Sequence, residues 1–393
     1  MVSRLPRLAI LTTHPIQYNA PLFALLAQRR KVDIKVFYTW GQSEMAIYDP
    51  AFGHTRVWDI PILEGYAHCF VTNTAKNPGS HHFNGINNPE LVTQIQAWQP
   101  QAILIFGWAF QSHLACMRVF KGKIPVFFRG DSTLLDETPS LKTVGRRLFL
   151  RWVYRHIDLA FYVGEHNKTY FKKHGLSTAR LAYAPHAVDN NRFAQLGQTE
   201  EAETARWRTR LGLKQTDWVV LFVGKLEEKK NPAFILQLAE RLKDPGIKFL
   251  LVGNGRLEKD LKAQATDSRV IFLDFQNQSQ MPLVYRLGQV LVLPSKGPGE
   301  TWGLAANEAM ACGLPVILSE KVGSAPDLVG DKETGLVFST GDVDSVASYI
   351  CKLQKDGTFY ERTSENARQH IRSFCFEKVA EAIEEQMQEI AAK

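Results

Sequence analysis

The sequence predicts an α/β protein made of two doubly wound, Rossmann-like domains. Three observations carry that prediction. The chain has 393 residues, enough for two domains of ordinary size. Buried-strand runs alternate with helical patterns through both halves. The most chemically loaded loops follow two strands of the second half, where open parallel sheets collect ligands.

The first strand is Arg7–Thr13, whose apolar core is too short for a signal peptide. Val32–Tyr38, Ala102–Phe106, Pro125–Arg129, Asp158–Val163 and Arg180–Ala184 read as further strands, with helical periods between most of them. Residues 42–88 break the rhythm with aromatic residues, glycine and proline, and read as an irregular insert. Leu141 to His156 has a helical period that aligns Arg147, Arg151 and Arg155. Its other side is Leu148, Phe149, Trp152 and Val153, and the helix reads either as packed on a core with its basic side solvated or as docking on anionic lipid. The polar, glutamate-rich stretch from Gly197 to Glu203 reads as a linker. A second βα series runs from Trp218 to Ser319, and Phe376–Ala392 has a strongly amphipathic helical pattern.

Within that second series, WVVLFVGKLEEKKN (Trp218 to Asn231) is a buried strand ending in Gly224. The loop after it carries Lys225, Lys229 and Lys230, mobile point charges suited to phosphate oxygens. QVLVLP (Gln289 to Pro294) is another buried strand. Pro294, Ser295, Gly297, Pro298 and Gly299 then open a loop that carries Glu300. A helix is expected over Leu304 to Cys312, with Gly313 and Pro315 as its stop signal. Glu308 falls about one turn into it. A helix start at the end of a parallel strand suits a phosphate. Carboxylates beside such a site suit neutral, hydroxyl-rich groups, which need acceptors.

These residues resemble the family-4 retaining glycosyltransferases of GT-B fold. That family has a strand ending in G-R-L-x-x-x-K, then a strand ending in P-S, then E-x7-E-A-M-A-x-G-x-P-V. Here the segments are GKLEEKK (Gly224 to Lys230) and LPSKGPGETWGLAANEAMACGLPV (Leu293 to Val316). LLVGNGRLE (Leu250 to Glu258), VIFLDF (Val270 to Phe275) and YAPHAVDNNRF (Tyr183 to Phe193) match in kind and order. The resemblance covers most of residues 180–375. It is to enzymes of bacterial exopolysaccharide and envelope-polysaccharide synthesis, the cyanobacterial heterocyst envelope among them.

The resemblance implies two Rossmann-like domains facing a cleft, with the closing helix crossing back to the first. The expected domains are 1–194 for the acceptor, 195–375 for a nucleotide-sugar, and 376–393 for the returning helix. Lys225 and Lys230 would hold the donor diphosphate, and Gly224 and Gly299 would line the approach. Backbone amides around Thr301, Trp302, Gly303 and Leu304 would meet the phosphates. Glu308 would bind ribose hydroxyls and Glu300 those of the transferred sugar, making Lys225, Lys230 and Glu300 the catalytic set. Asn254 and Phe275 would border the base. His14, Tyr18, Arg129, Asp131 and His186 are candidates for the acceptor and sugar side. Trp58, Tyr66, His68, His81 and His82 could line an acceptor groove. Two departures stand out: Lys225 replaces an arginine and loses its bidentate fork, and Thr301 replaces a glycine.

The implied activity is hexosyl transfer with retention, with UDP-glucose as first donor and a polysaccharide or lipid-linked oligosaccharide as acceptor. No double-displacement carboxylate pair is evident, so same-face substitution without a metal is expected. The rivals are a nucleotide-sugar epimerase, a phosphorylase, and a non-catalytic nucleotide-sugar-binding partner of a polysaccharide-synthesis complex. Asp342 and Asp344 form an Asp-x-Asp that opens a helical pattern and reads as a cap.

Composition fits this frame. Five scattered cysteines without metal spacing suggest a reduced, cytoplasmic setting. No stretch approaches the roughly 20 apolar residues of a membrane span. Residues 1–195 hold 22 Lys and Arg against 12 Asp and Glu, a net +10, whereas the remainder has a net −3. That basic half suggests an acidic partner, either a lipid-linked phosphate acceptor or an anionic membrane surface, the inner face of the plasma membrane. Nucleic acid is not expected, because no binding motif accompanies the charge.

Overall fold

Aliphatic and β-branched runs form two separate parallel sheets. The computed structural model describes residues 5–41, 47–49, 54–56, 58–195 and 197–392. The strands of the first half are β1 (Arg7–Thr12), β2 (Asp33–Tyr38), β3 (Ile47–Asp49), β4 (His54–Arg56), β5 (Ala67–Phe70), β6 (Ala102–Phe106), β7 (Val126–Arg129), β8 (Leu159–Tyr162) and β9 (Leu181–Tyr183). Those of the second are β10 (Trp218–Val223), β11 (Ile247–Val252), β12 (Val270–Leu273), β13 (Val290–Leu293), β14 (Val316–Ser319) and β15 (Gly335–Phe338).

Seven strands order as β5-β2-β1-β6-β7-β8-β9, with every adjacent pair parallel. Ile10 of β1 lies opposite Val36 on one side and Leu104 on the other, all inaccessible to solvent. The second sheet orders as β12-β11-β10-β13-β14-β15, again all parallel. Helices cover both faces of such sheets, which explains strands that are apolar throughout rather than alternating. In each sheet the chain winds outward one way, then returns to the middle and winds the other. The reversal falls between β1 and β6 in the first sheet and between β10 and β13 in the second. Those are the switch points where a crevice opens at the strands' carboxyl ends.

The chain divides into two compact units, Met1–Ile47 with Ile60–Pro185 and Phe376–Lys393, and Tyr48–Asp59 with His186–Cys375. The closing helix Phe376–Ala391 belongs to the first unit and packs on the helix Ala20–Arg29. Its buried Glu384 receives Arg29 Nε at 2.6 Å and Nη2 at 2.9 Å, with Lys31 Nζ at 3.2 Å. Burial alone would raise the Glu384 pKa. The Arg29 and Lys31 hydrogen bonds outweigh it and hold the carboxyl below its usual range.

Four sequence expectations need correction. Gly197–Glu203 is no linker: it starts the helix Gln198–Arg210. The Glu200 carboxylate accepts from the Gly197 amide at 3.1 Å, and buried Arg208 donates to the carbonyls of Leu287, Lys214 and Asp217. The insert at 42–88 contributes β5 to the sheet edge and the β3–β4 pair, although residues 42–46, 50–53 and 57 lie outside the described residues. The second sheet continues past Ser319 into β15. On the helix Leu141–Tyr154, Leu148 and Phe149 face solvent, while Leu150, Val153 and Tyr154 enter the core. By contrast, Asp342 does cap its helix, accepting from the Ser345 amide at 3.0 Å.

Candidate functional site

The second sheet's switch point is bordered by the loops after β10 and β13. The first runs from Gly224 to Asn231 and ends in a short turn, Glu228–Lys230, closed by Asn231 in a left-handed conformation (φ 53°). Asn231 Nδ2 donates to the Pro294 carbonyl at 3.2 Å, and the Lys296 amide donates to the Lys229 carbonyl at 2.9 Å. The two loops are therefore stitched to each other directly. Gly253, after β11, lies so close that a Cβ there would meet the Gly224 carbonyl oxygen at 2.2 Å.

This stitching brings Lys230 onto Glu300, with Nζ 2.5 Å from Oε2. The Ser295 hydroxyl donates to the same oxygen at 3.1 Å. Glu300 is 6% exposed and Lys230's side chain 18%, so the carboxylate is desolvated while the ammonium still reaches the opening. Glu308 sits within the helix Ala305–Ala311 and accepts from the Tyr285 hydroxyl at 2.6 Å, both groups being buried. The fully buried Asn307 accepts from the Trp302 indole N–H at 2.8 Å and donates to the His186 carbonyl at 3.1 Å. The rings of His186 and Trp302 lie 5.3 Å apart, and Trp302 is buried.

Thr301 keeps ordinary backbone geometry, because the left-handed positions fall on its neighbours: Gly299 and Gly303 both have φ +90°. That is why a threonine is tolerated where a glycine is usual. The loop is braced from outside by the Gly323 and Ser324 amides, which donate to the carbonyls of Glu300 and Trp302. Gly323 must lack a side chain, since a Cβ would sit 1.8 Å from the Thr301 carbonyl oxygen. Leu304 caps the helix. At the base side, Asn254 Oδ1 accepts from the Phe275 amide at 2.7 Å, and its Nδ2 donates to Glu258 and Asp274. Lys225 is half-buried, one residue past Gly224.

The first-unit candidates also follow strand ends. His14, after β1, packs edge-on against Trp40 at 5.3 Å, and burial lowers its pKa. Tyr18 is half-buried in the turn before the helix Ala20–Arg29. Arg129 ends β7 and is buried, its guanidinium donating to the carbonyls of Ala184 at 2.7 Å and Pro185 at 2.9 Å. Burial pulls the Arg129 pKa down to about 10. Arg129 thus holds the chain segment after β9, and half-buried Asp131 follows it two residues on.

Sequence reasoning missed Tyr285, Ser295, Asn307 and Asn231 as parts of this arrangement. Tyr285 reads as one more core residue in the run before β13. Asn307, a polar side chain inside a small-residue helix next to Glu308, was the available signal.

The two sheets have the GT-B fold. Anabaena HepE, solved in complex with UDP and glucose, superposes with a TM-score of 0.71 over 98% of this chain and all of that one, at 19% identity. The sucrose-phosphate synthase of Thermosynechococcus elongatus gives 0.70 over 98% of this chain and 99% of that chain, at 18% identity. Residues 203–370 match the family model of the glycosyl transferases group 1. The D-inositol 3-phosphate glycosyltransferase of Mycobacteroides abscessus is 31% identical over 220 residues, 53% of this chain and 46% of the relative. That of Mycobacterium marinum is 30% identical over 256 residues, 62% and 52%. The chain spans about half the length of the curated relatives it matches. The match to the group 1 glycosyl transferases thus falls within the second unit of a GT-B fold.

Proposed function

We propose that the chain is a retaining hexosyltransferase that moves a glucosyl unit from UDP-glucose to a hydroxyl of a polysaccharide or lipid-linked oligosaccharide. The reading places it at the cytoplasmic side of the plasma membrane. The observation that carries the proposal is the contact of Lys230 with Glu300 beside a tyrosine-held Glu308, all at one switch point. A cation for phosphate and two carboxylates for hydroxyls are what a nucleotide-sugar requires. The group 1 match over 203–370 and the UDP-glucose complex of the HepE neighbour support this donor.

In this mechanism Glu308 holds the ribose, Glu300 the hexose hydroxyls, and Asn254 with Phe275 the base. Lys225, Lys230 and the amides from Thr301 to Leu304 stabilise charge that develops on the departing diphosphate. The bond from the anomeric carbon to the phosphate oxygen breaks as the acceptor oxygen attacks from the same face. The acceptor proton passes to the leaving phosphate oxygen. Charge stabilisation by lysines and amides makes the reaction metal-independent. His14, Tyr18, Asp131 and His186 are the acceptor-side candidates.

Titration calorimetry with a panel of nucleotide-sugars tests the donor, and UDP-glucose is expected to bind most tightly. Full turnover in EDTA is expected with a competent acceptor. Preference for a GDP- or ADP-sugar, or strict dependence on a divalent cation, would overturn the corresponding part. Acceptor-free epimerisation would assign a different reaction to the same site.

A further inference from the structure

Eight large apolar side chains are exposed among the described residues, and four of them lie on one helix: Leu141, Val144, Leu148 and Phe149. Isolated exposed apolar residues are ordinary, but a contiguous ridge is not. Leu141, Val144 and Leu148 recur at i, i+3 and i+7, so they form a line along the outward face of the helix Leu141–Tyr154. Leu141 is 92% exposed and Leu148 62%. The opposite face, Leu150, Val153 and Tyr154, is locked into the core of the first unit. The helix therefore cannot turn its ridge inward.

The charges around that ridge have one sign. Arg151 and Arg155 are exposed along the same side, Lys142 is exposed next to Leu141, and the segment 141–156 contains no Asp or Glu. Arg147 is held by Glu137 at 2.9 Å. An apolar ridge between cationic flanks, on a helix far too short to span a bilayer, is the pattern of a helix lying in a lipid headgroup region. The apolar side chains would sink into the boundary of the acyl chains, and the cations would remain among the headgroup phosphates.

We propose that the ridge Leu141, Val144 and Leu148, flanked by Lys142, Arg151 and Arg155, seats this protein on an anionic phospholipid surface. The seat deepens the membrane-side reading of the proposed function. Its readout is lipid binding, which stands or falls independently of sugar transfer. It also divides the apolar face that the sequence offered as one, since Val153 is in the core and Leu148 is exposed.

The full chain is mixed with vesicles of phosphatidylglycerol and phosphatidylcholine, or of phosphatidylcholine alone, and sedimented. Binding to the anionic vesicles is expected, with little to the neutral ones. The variant Leu141→Asp/Leu148→Asp should lose roughly tenfold or more. Lys142→Glu/Arg151→Glu/Arg155→Glu should lose about a hundredfold on anionic vesicles, at roughly fivefold per cation. Circular-dichroism melting checks that both variants fold, and all replaced side chains are surface ones. Equal sedimentation of wild type and variants, or no vesicle binding, would overturn the proposal. Self-association without lipid that Leu141→Asp/Leu148→Asp abolishes would assign the ridge to a second copy instead.

Discussion

Lys230 Nζ and Glu300 Oε2 stand 2.5 Å apart although 70 positions separate them in sequence. The pair joins the loop after β10 to the loop after β13, and so couples the proposed phosphate contact to the proposed sugar contact. Removing one partner leaves the other charge uncompensated, which costs about 3–5 kcal/mol when both are fully buried and less here because Lys230 is partly open.

Stability and turnover should therefore separate. Lys230→Ala is expected to lower both the melting temperature and kcat, the latter by at least about a hundredfold. The double variant Lys230→Ala/Glu300→Gln removes the orphaned carboxylate, so it should regain stability without regaining turnover. Recovery of turnover in the double variant would reduce Lys230 to a structural role.

Tyr285 fixes one oxygen of Glu308 at 2.6 Å. A hydrogen bond to a charged group contributes about 1.5–3 kcal/mol, and here it also orients the carboxylate. Tyr285→Phe keeps the ring packed against Phe193. It is expected to raise the dissociation constant for the nucleotide-sugar roughly tenfold, with a smaller loss for a 2′-deoxyribose analogue. Equal losses for both donors would disconnect Glu308 from the ribose.

The fold was legible because a parallel strand buried on both faces has to be apolar throughout, as LAILT and VVLFV are. The edges were not. AHCF in β5 and GLVF in β15 are partly exposed and short, the first interrupted by a histidine and the second opened by a glycine. Lys230 and Glu300, which the structure pairs, stood out in the sequence because charge just past the end of an apolar strand is conspicuous. The contact of Tyr285 with Glu308 did not, since a ring that belongs to the core conceals what its hydroxyl reaches. The side that Leu148 faces was undecided in the sequence for a related reason. A helical wheel gives the spacing of apolar residues, but only the packed neighbour decides which side of a doubly apolar helix is inside.

Gly253 and Gly299 offer a comparison of steric crowding with backbone conformation. Both have positive φ, +132° and +90°. At 253 a methyl group would also strike the Gly224 carbonyl oxygen at 2.2 Å, whereas at 299 nothing lies within 4 Å. Gly299→Ala should then cost about 1 kcal/mol from conformation alone. Gly253→Ala should cost at least about 2 kcal/mol and weaken nucleotide-sugar binding by displacing Gly224 and Lys225. Urea titration of the two variants, read with donor calorimetry, checks the ranking. Equal destabilisation would mean that the loops after β10 and β11 separate freely.

His113 gives the first unit an acid-sensitive core. It is fully buried, with Nδ1 2.9 Å from the Gly107 carbonyl and Nε2 2.9 Å from the Thr39 hydroxyl. A carbonyl only accepts, so Nδ1 carries the proton and Nε2 is left as the acceptor. Burial lowers the His113 pKa from 6.5 to about 4, the carbonyls of Gly107 and Phe106 opposing it only in part. Between those values the unfolded chain binds the proton and the folded chain does not, so stability rises with pH across the window. The contribution is complete above pH 6.5, is lost progressively toward pH 4, and is constant below. Its full span is about 3 kcal/mol. Urea midpoints of wild type and His113→Gln, measured above and within the window, should show a shallower pH slope in the variant. An unchanged slope would locate the acid sensitivity at other groups, since glutamine at that position cannot titrate.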